Sequence, residues 1–301
     1  MHVETLKVYC DLVEMQSFSL AAERNFVTQS AVSQQIRTLE EKFGRKLLER
    51  VRGRREIRLT AAGEVFYRES KKVLDSFNQL NEQMNSLIGR ISGVVKVATV
   101  YSVGLHELPP LVREFMQKFP SVKIDMEYSR TTRVVREVLK GIVELGVVAF
   151  PEPRRGITVV PMASDRLVLI CPPEHELAKK KTITAKHLKD RDFVLFERDI
   201  PTRKATDKIL RSRGVSVNKA AEFDNIETIK RAVEAGFGLA IVPYPSVVDE
   251  ERNGQLCVVK FKEKDWQRPV GVIYRSDREL TLAAKKFVKL LGNKDAAPSS
   301  A

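Results

Sequence analysis

At 301 residues, with 43% hydrophobic and 30% charged residues, the chain has the length of two or three domains and the composition of an ordinary soluble globular protein. Its formal net charge of +13 is unusual and favours an anionic partner such as nucleic acid or a membrane surface, although it also fits solubility alone. No stretch approaches the roughly 20 apolar residues of a membrane span, and three widely separated cysteines support neither a disulfide framework nor a metal site.

The N-terminal segment is predicted to form three helices with short connections. Apolar residues at helical spacing predict a first helix over about residues 3–16. Ser19 has the side chain of an N-cap and would begin a second short helix. Thr28 is the corresponding N-cap of a third helix, over about residues 29–42.

The third predicted helix has an apolar stripe on one side and an uncharged polar face on the other. We expect the stripe to pack against the first two helices. It consists of Val32, Ile36, Leu39 and Phe43. The opposite face would present Thr28, Gln29, Ser30, Ser33, Gln34 and Arg37. Amides and hydroxyls can pair with base edges, and an arginine can pair with guanine or phosphate. A polar helix face alone is usually solvated surface, but the three-helix spacing and the basic segment that follows favour a DNA-recognition helix.

That basic segment, "ERVRGRREIRLT" at residues 49–60, is predicted to form a β-hairpin wing. It has a turn around Gly53, flanked by apolar residues in alternation. Arg52, Arg54 and Arg55 at the tip would contact backbone phosphate or the minor groove. The alternative is a turn that is merely solvated.

A long helix is predicted to begin at Thr60. Its apolar residues have near-heptad spacing, interrupted at Ser70. They are Phe66, Val73, Phe77, Leu80, Met84 and Leu87. A helix of about 28 residues would be about 42 Å long, too long to bury this stripe against a small domain. We therefore expect a second copy of the chain to cover it, and Gly89, Ser92 and Gly93 to form a hinge after it.

These residues closely resemble the LysR-type transcriptional regulators. The resemblance is carried by "SFSLAAERNFVTQSAVSQQIRTLEEKFGRKLLER" and "LTAAGEVFY"; it is specific over residues 3–66 and looser beyond. It implies a winged helix-turn-helix domain over 1–59, a dimerising linker helix over 60–89, and an α/β effector domain similar to periplasmic binding proteins over 90–293. It also implies homodimers or homotetramers on double-stranded DNA, contact with RNA polymerase, and transcription tuned by a small-molecule effector.

Residues 93–292 alternate strand-like and helix-like segments, which predicts two α/β lobes with mainly parallel sheets. The first lobe would comprise about 93–161 and 268–293, the second about 162–267, with a flexible tail at 294–301. In such sheets ligands bind beyond the strand carboxyl ends, beside helix N-termini. Hydroxyls, helix dipoles and one arginine suit a small anion. The candidates are Ser102, Ser129, Thr131, Thr132, Thr202, Arg203 and Asn225. Singly, each is more often an ordinary N-cap; together they match the place of the effector cleft that the resemblance implies.

The chain departs from common family patterns at two of these places. Residues 129–132 read "SRTT" where many relatives have glycine, which leaves the ligand geometry open. We expect Arg130 there to be surface charge rather than a specificity residue. The usual Leu-Asp-Leu-Ala is replaced by "ELGVVAF", beginning at Glu144.

Three functions other than transcriptional regulation agree less well with the sequence. An enzyme lacks support, since there is no G-x-S-x-G elbow or phosphate-binding loop, "GFGLAI" follows a helix rather than a strand, and four scattered histidines have no metal-ligand spacing. No cofactor is expected. A transport binding protein would fit residues 93–292, but the N-terminal helices and the absence of an export signal oppose it and favour a cytoplasmic location. A redox sensor would need accessible thiols, whereas Cys171 and Cys257 lie in apolar, strand-like segments.

Overall fold

The computed structural model describes residues 2–50, 57–87 and 91–292, in two compact units that divide after Gly89. The predicted tail at 294–301 lies outside the described residues. Within the described ranges, no helix combines the length and the apolar character needed to cross a bilayer. The two units are described separately below.

The first unit begins with helices α1 (Val3–Met15), α2 (Phe18–Arg24) and α3 (Gln29–Phe43). Ser17, and not Ser19, is the N-cap of α2, because its Oγ accepts a hydrogen bond from the Leu20 amide at 3.3 Å. Ser19 lies inside the first turn. Thr28 caps α3 as predicted, with its Oγ1 accepting from the Ala31 amide at 3.2 Å.

The apolar stripe of α3 packs into the core of this unit. Val32, Ile36 and Leu39 are buried beside residues of α1 and α2. Phe43 differs from the prediction: it remains 46% exposed and meets the ring of Phe66 edge-on, with centroids 5.2 Å apart. Position 43 is the last residue of α3, and its ring contacts α4 through Phe66.

Two short antiparallel strands follow, β1 (Leu48–Arg50) and β2 (Ile57–Leu59), with Leu48 opposite Leu59. The residues between them, 51–56, lie outside the described ranges. Glu40 of α3 holds the start of β1, since its Oε1 accepts from the Leu47 amide at 2.9 Å. The base of the predicted wing is thereby fixed to α3.

The long helix α4 (Ala61–Leu87) begins after Thr60, whose Oγ1 accepts from the Gly63 amide at 2.9 Å. Gly63 is required here, because a Cβ at this position would lie 2.0 Å from the Leu47 carbonyl oxygen. The Tyr9 hydroxyl donates to the Gly63 carbonyl at 3.0 Å. The first turns of α4 thus lie directly on the three-helix core.

The second unit contains the remaining elements. In chain order they are β3 (Gly93–Thr99), α5 (Tyr101–His106), α6 (Leu108–Lys118), β4 (Val122–Tyr128), α7 (Thr131–Lys140), β5 (Leu145–Ala149), β6 (Ile157–Cys171), β7 (Thr182–Ile183), β8 (Asp192–Phe196), α8 (Pro201–Ser212), β9 (Asn218–Phe223), α9 (Ile226–Glu234), β10 (Ala240–Pro243), α10 (Val248–Arg252), β11 (Cys257–Phe261), β12 (Gln267–Arg275) and α11 (Leu282–Gly292).

The sheet arrangement corrects the expectation of mainly parallel pairing. β3 pairs in parallel with β4 and β5, and β8 with β9. All pairs made by β6 are antiparallel: with β12 along its first part, and with β10 and β11 along its second. The reason is connectivity, because β6 carries the chain from one lobe to the other and β12 returns it in the opposite direction.

Each lobe has its own apolar core. The first is built around β3, β5, α6 and α11, and includes Phe115 and Phe287, whose ring centroids are 4.9 Å apart. The second surrounds Phe193 and Trp266, with a further cluster beneath α9. Met162 packs in the first core and Leu167 in the second, so β6 changes lobes between them.

Glu144, one of the two departures from the family pattern, has a structural role. Its Oε1 accepts from the Thr281 amide at 2.7 Å, and its Oε2 accepts from the Thr281 hydroxyl at 3.1 Å. Thr281 directly precedes α11 and its Oγ1 accepts from the Ala284 amide at 3.1 Å. Glu144 therefore fixes the start of the final helix.

Candidate functional site

The outward face of α3 presents the predicted polar residues to solvent. Thr28, Gln29, Ser30, Gln34 and Arg37 are exposed, and Ser33 is half-buried. Within the described residues, the side chains of Gln29, Gln34 and Arg37 form no hydrogen bond. Thr28 Oγ1 and Ser30 Oγ lie 2.9 Å apart at the start of the helix. The helix therefore offers free amide and guanidinium groups beside its first turn.

The carboxylate of Glu40, between this face and the buried stripe, is engaged. Glu40 accepts from Lys46 Nζ at 2.7 Å as well as from the Leu47 amide, and only 10% of its side chain is exposed. Burial opposes its charge, but the hydrogen bonds from Lys46, Leu47 and Leu48 prevail and lower the pKa of Glu40. Its negative charge is thus neutralised locally and would not repel a phosphate backbone. Arg52, Arg54 and Arg55 of the predicted wing lie outside the described residues.

The apolar stripe of α4 divides into two parts. Val73, Phe77, Leu80 and Met84 are between 40% and 59% exposed. Leu87 ends the helix, and its side chain is outside what the structure describes. Phe66 packs on Tyr9 beside the three-helix core, with centroids 4.9 Å apart, so it is already partly covered within its own chain. The unpartnered apolar face therefore begins at Val73.

A cavity of about 260 Å³ lies between the two lobes of the second unit. Six of the seven predicted effector residues line it: Ser102, Ser129, Thr131, Thr132, Thr202 and Asn225. The helices α7, α8 and α9 all begin at its wall, at Thr131, Pro201 and Ile226. Three helix N-termini therefore bring their partial positive charges to one space.

Arg203 is the exception, and its prediction as a ligand contact is corrected. It is buried, and its guanidinium donates to the Phe196 carbonyl at 2.6 Å, to Glu222 at 2.7 Å and to Asp207 at 2.9 Å. These contacts hold α8 against β8 and β9. The next residue, Lys204, lines the cavity instead. The sequence does not distinguish the two positions, because the packing of α8 on the sheet decides which side chain turns inward.

Arg130 also differs from the expectation of plain surface charge. It lines the cavity and connects the lobes, because its guanidinium lies 2.9 Å from Glu197, 3.1 Å from Asp224 and 3.3 Å from Asp199. The hydrogen bond from Arg130 lowers the pKa of Asp224. The sequence gives little sign of this cluster, since its acidic members lie about seventy and ninety residues further along the chain.

Two more polar networks join the lobes. His106 Nε2 lies 2.8 Å from Glu227 Oε1, and Glu227 also pairs with the buried Lys230 at 3.0 Å. Burial opposes the charge of Glu227, but hydrogen bonds from Lys230 and His106 lower its pKa. The fully buried Arg268 of β12 donates to Asp165 of β6 at 2.7 Å and to the Ser102 hydroxyl at 2.8 Å. The cavity serine is thus tied to both strands that connect the lobes.

Phe150 is a further cavity residue that the sequence analysis missed. It follows β5 with a φ of 51°, and its amide donates to the Pro269 carbonyl at 2.7 Å. A positive φ is rare for a side chain of this size. Sequence patterns do not reveal such a backbone conformation.

Two of the three thiols lie on paired strands of the second unit. Cys171 and Cys257 face each other on β6 and β11, and Cys171 is fully buried. Burial raises the pKa of Cys171 to about 12, which disfavours the reactive thiolate. Among the described residues, no group of His, Cys, Asp and Glu has the geometry of a metal site.

Two family models match the chain in the same places as the two units. The model described as "Bacterial regulatory helix-turn-helix protein, lysR family" matches residues 3–64. The model described as "LysR substrate binding domain" matches residues 89–296. Together they account for most of the chain.

Similar proteins and structures agree. The HTH-type transcriptional activator CmpR of Synechocystis sp. is 28% identical, over 98% of this chain and 96% of its own. A probable RuBisCO transcriptional regulator of Cyanophora paradoxa is 29% identical, over 95% of this chain and 89% of its own. The full-length OxyR C199D structure from Pseudomonas aeruginosa has a TM-score of 0.75 at 22% identity, covering 99% of this chain and 96% of that one. Full-length CbnR complexed with its target DNA has a TM-score of 0.69 at 22% identity, covering 98% and 100%.

The structural likenesses show the fold, and the family models and relatives show the family. The chain belongs to the LysR family, as a DNA-binding transcriptional regulator with an effector-binding domain and not as an enzyme.

Proposed function

We propose that this regulator binds promoter DNA through the outward face of α3, and that a small anion held between its lobes tunes that binding. The observation that carries the anionic class is Lys204. Of the three cationic side chains that line the cavity, Arg130 and Arg154 are ion-paired, whereas Lys204 has no ion pair in the described part of the chain. A free ammonium group beside three helix N-termini suits a carboxylate or a phosphate.

On the DNA side, the residues divide into two roles. Gln29, Ser33 and Gln34 would contact base edges in the major groove, where amides pair well with adenine. Thr28, Ser30 and Arg37 would bind phosphate, together with the amides of the first turn of α3. Arg52, Arg54 and Arg55 of the predicted wing would add further phosphate or minor-groove contacts.

Assembly would follow from the exposed part of α4. The apolar residues from Val73 to Met84 lie along one helix and need a cover. A second copy of the chain would supply the same face in return, as two-fold symmetry requires. A homodimer, or a homotetramer of two such dimers, would present recognition helices to successive major grooves. For an activator, contact with RNA polymerase would complete the function.

The effector would act on the contacts that join the lobes. The cavity hydroxyls of Ser102 and Thr202 come from opposite lobes, so a bound anion would draw the lobes together. Arg130 already connects them through Glu197, Asp199 and Asp224. An anion that competes for Arg130 would shift the equilibrium between two lobe arrangements toward the one that it binds more tightly.

A thermal-shift screen of the full chain tests the anionic class. The ligands are small carboxylates, inorganic phosphate and amino acids, each compared with an uncharged amide or alcohol of the same size. We expect some anions to raise the melting temperature and their neutral counterparts to leave it unchanged. Lys204→Ala should abolish the shift, and Lys204→Arg should keep most of it. Equal shifts by the neutral compounds, or a full shift in Lys204→Ala, would contradict the proposal.

A further inference from the structure

The turn between α2 and α3 has an unusual residue at its most restrictive position. The amide of Val27 donates to the Ala22 carbonyl at 3.0 Å, and that of Phe26 to Glu23 at 3.1 Å. This pair of bonds defines a Schellman motif, whose C′ residue has left-handed backbone angles and is usually glycine. Phe26 occupies that position with a φ of 55°.

The same chain uses glycine at this position elsewhere. The same two hydrogen bonds, at a residue with positive φ, end five other helical segments in the described ranges. Their C′ residues are Gly44, Gly141, Gly214, Gly236 and Gly254. A Cβ is disfavoured in the left-handed region, so a phenylalanine there works against stability.

Phe26 gains nothing from the fold in return. Its side chain is 97% exposed, and it takes part in none of the apolar clusters of the described residues. The strained backbone at Phe26 therefore opposes folding, and no burial of the ring offsets it. Strained residues of this kind are characteristic of functional sites. Phe150, the other aromatic residue with positive φ in the described chain, lines the effector cavity.

The position of Phe26 indicates its partner. It lies two residues before Thr28, the N-cap of α3, and so adjoins the exposed residues Gln29 and Ser30. In a helix-turn-helix, the N-terminal residues of the recognition helix contact the DNA. The apolar feature that a phenylalanine meets in the major groove is the 5-methyl group of thymine.

We propose that Phe26 is a specificity residue that packs its ring against a thymine methyl group next to the bases contacted by α3. The inference rests on the proposed function, because it needs the α3 face to lie on DNA. In this account, the strain at position 26 lowers the stability of the fold but places an aromatic ring where it can contact a thymine of the operator and so discriminate between bases.

The test compares stability with DNA binding in the full chain. The probe is the duplex that the wild-type protein selects from a randomised pool, together with copies in which one thymine at a time is replaced by uracil. Phe26→Gly should raise the melting temperature, because glycine adopts the left-handed conformation without the strain that a Cβ causes. It should weaken binding to the selected duplex about fourfold, as expected for loss of one buried methyl contact.

The uracil duplexes identify the contact. At one position, uracil should weaken wild-type binding about fourfold and leave Phe26→Gly unaffected. Phe237→Ala is the matched control, because Phe237 is also exposed, at 60%, and follows a Schellman glycine in the second unit. This control should bind all duplexes as the wild type does.

Three outcomes are decisive. The inference is overturned if Phe26→Gly binds the selected duplex as tightly as the wild type. It is also overturned if no uracil position separates the two proteins, or if the variant changes only the oligomeric state. Gln34→Ala separates this failure from failure of the proposed function: if Gln34→Ala still weakens binding, α3 lies on the DNA and only the role of Phe26 is wrong.

Discussion

The recognition face of α3 and the cavity between the lobes use polar side chains in opposite ways. On α3, Gln29, Gln34 and Arg37 belong to one helix, are exposed, and form no side-chain bonds within the described chain. Around the cavity, Arg130 and Arg268 come from distant segments and are engaged with carboxylates and hydroxyls. The α3 face leaves its polar side chains free for a partner. The cavity uses most of its charged side chains in contacts that join the two lobes.

The largest expected effect tests the second half of that contrast. Arg268→Ala would leave Asp165 and Glu107 buried without the guanidinium that faces them. Removing one partner of such a buried network costs about 3–5 kcal/mol of unfolding free energy. Urea unfolding of the full chain, followed by near-UV circular dichroism of the buried Trp266, measures it.

Arg231→Ala is the control for this variant. Arg231 is also ion-paired, with Glu234, but 69% of its side chain is exposed. Its removal should leave the unfolding midpoint unchanged. If Arg268→Ala loses no more stability than Arg231→Ala, the buried network is not what holds the lobes.

The contrast between the two sites also explains what the sequence predicted well. The stripe of Val32, Ile36 and Leu39 and the polar face opposite it lie within one helix, so their periodicity alone separates inside from outside. The six correctly placed cavity residues were predictable for a related reason, because helix N-termini after strands meet at one edge of a sheet.

The error at the start of α2 is local, whereas those at Arg203 and Phe66 come from packing between segments far apart in the chain. Ser17 rather than Ser19 caps α2, a shift of two residues within a short helix that has few periodic positions. Lys204 rather than Arg203 faces the cavity because the sheet decides the rotation of α8. Phe66 shares the spacing of the α4 stripe, but the core beside Tyr9 covers it first. No local pattern contains this information.

A smaller loss of stability is expected at Arg130, which is ion-paired like Arg268 but exposed like the polar residues of α3. Arg130 and Asp224 are each more than 40% exposed, so Arg130→Ala should cost less than about 1 kcal/mol of unfolding free energy. The hydrogen bond from Arg130 lowers the pKa of Asp224 below its ordinary 3.8. The stabilisation is therefore fully present above that value and is lost as the pH falls through the lower, folded-state pKa.

Urea unfolding of wild type and Arg130→Ala across a range of pH measures this effect. The difference in unfolding free energy should be constant from about pH 8 to about pH 5 and should shrink only below the ordinary carboxyl range. A difference that grows on acidification, or that changes near neutral pH, would mean that another group controls the contact between the lobes.

The most direct measurement of the central claim is duplex binding by Gln34→Ala, with Arg37→Ala as its matched control on the same face of α3. We expect Gln34→Ala to weaken binding to the selected duplex by about 1–3 kcal/mol while affecting a scrambled duplex much less. Arg37→Ala should weaken both alike and reduce the salt dependence by about one counterion. Equal losses on both duplexes for both variants, or none for Gln34→Ala, would contradict the claim that the exposed amides of α3 read DNA bases.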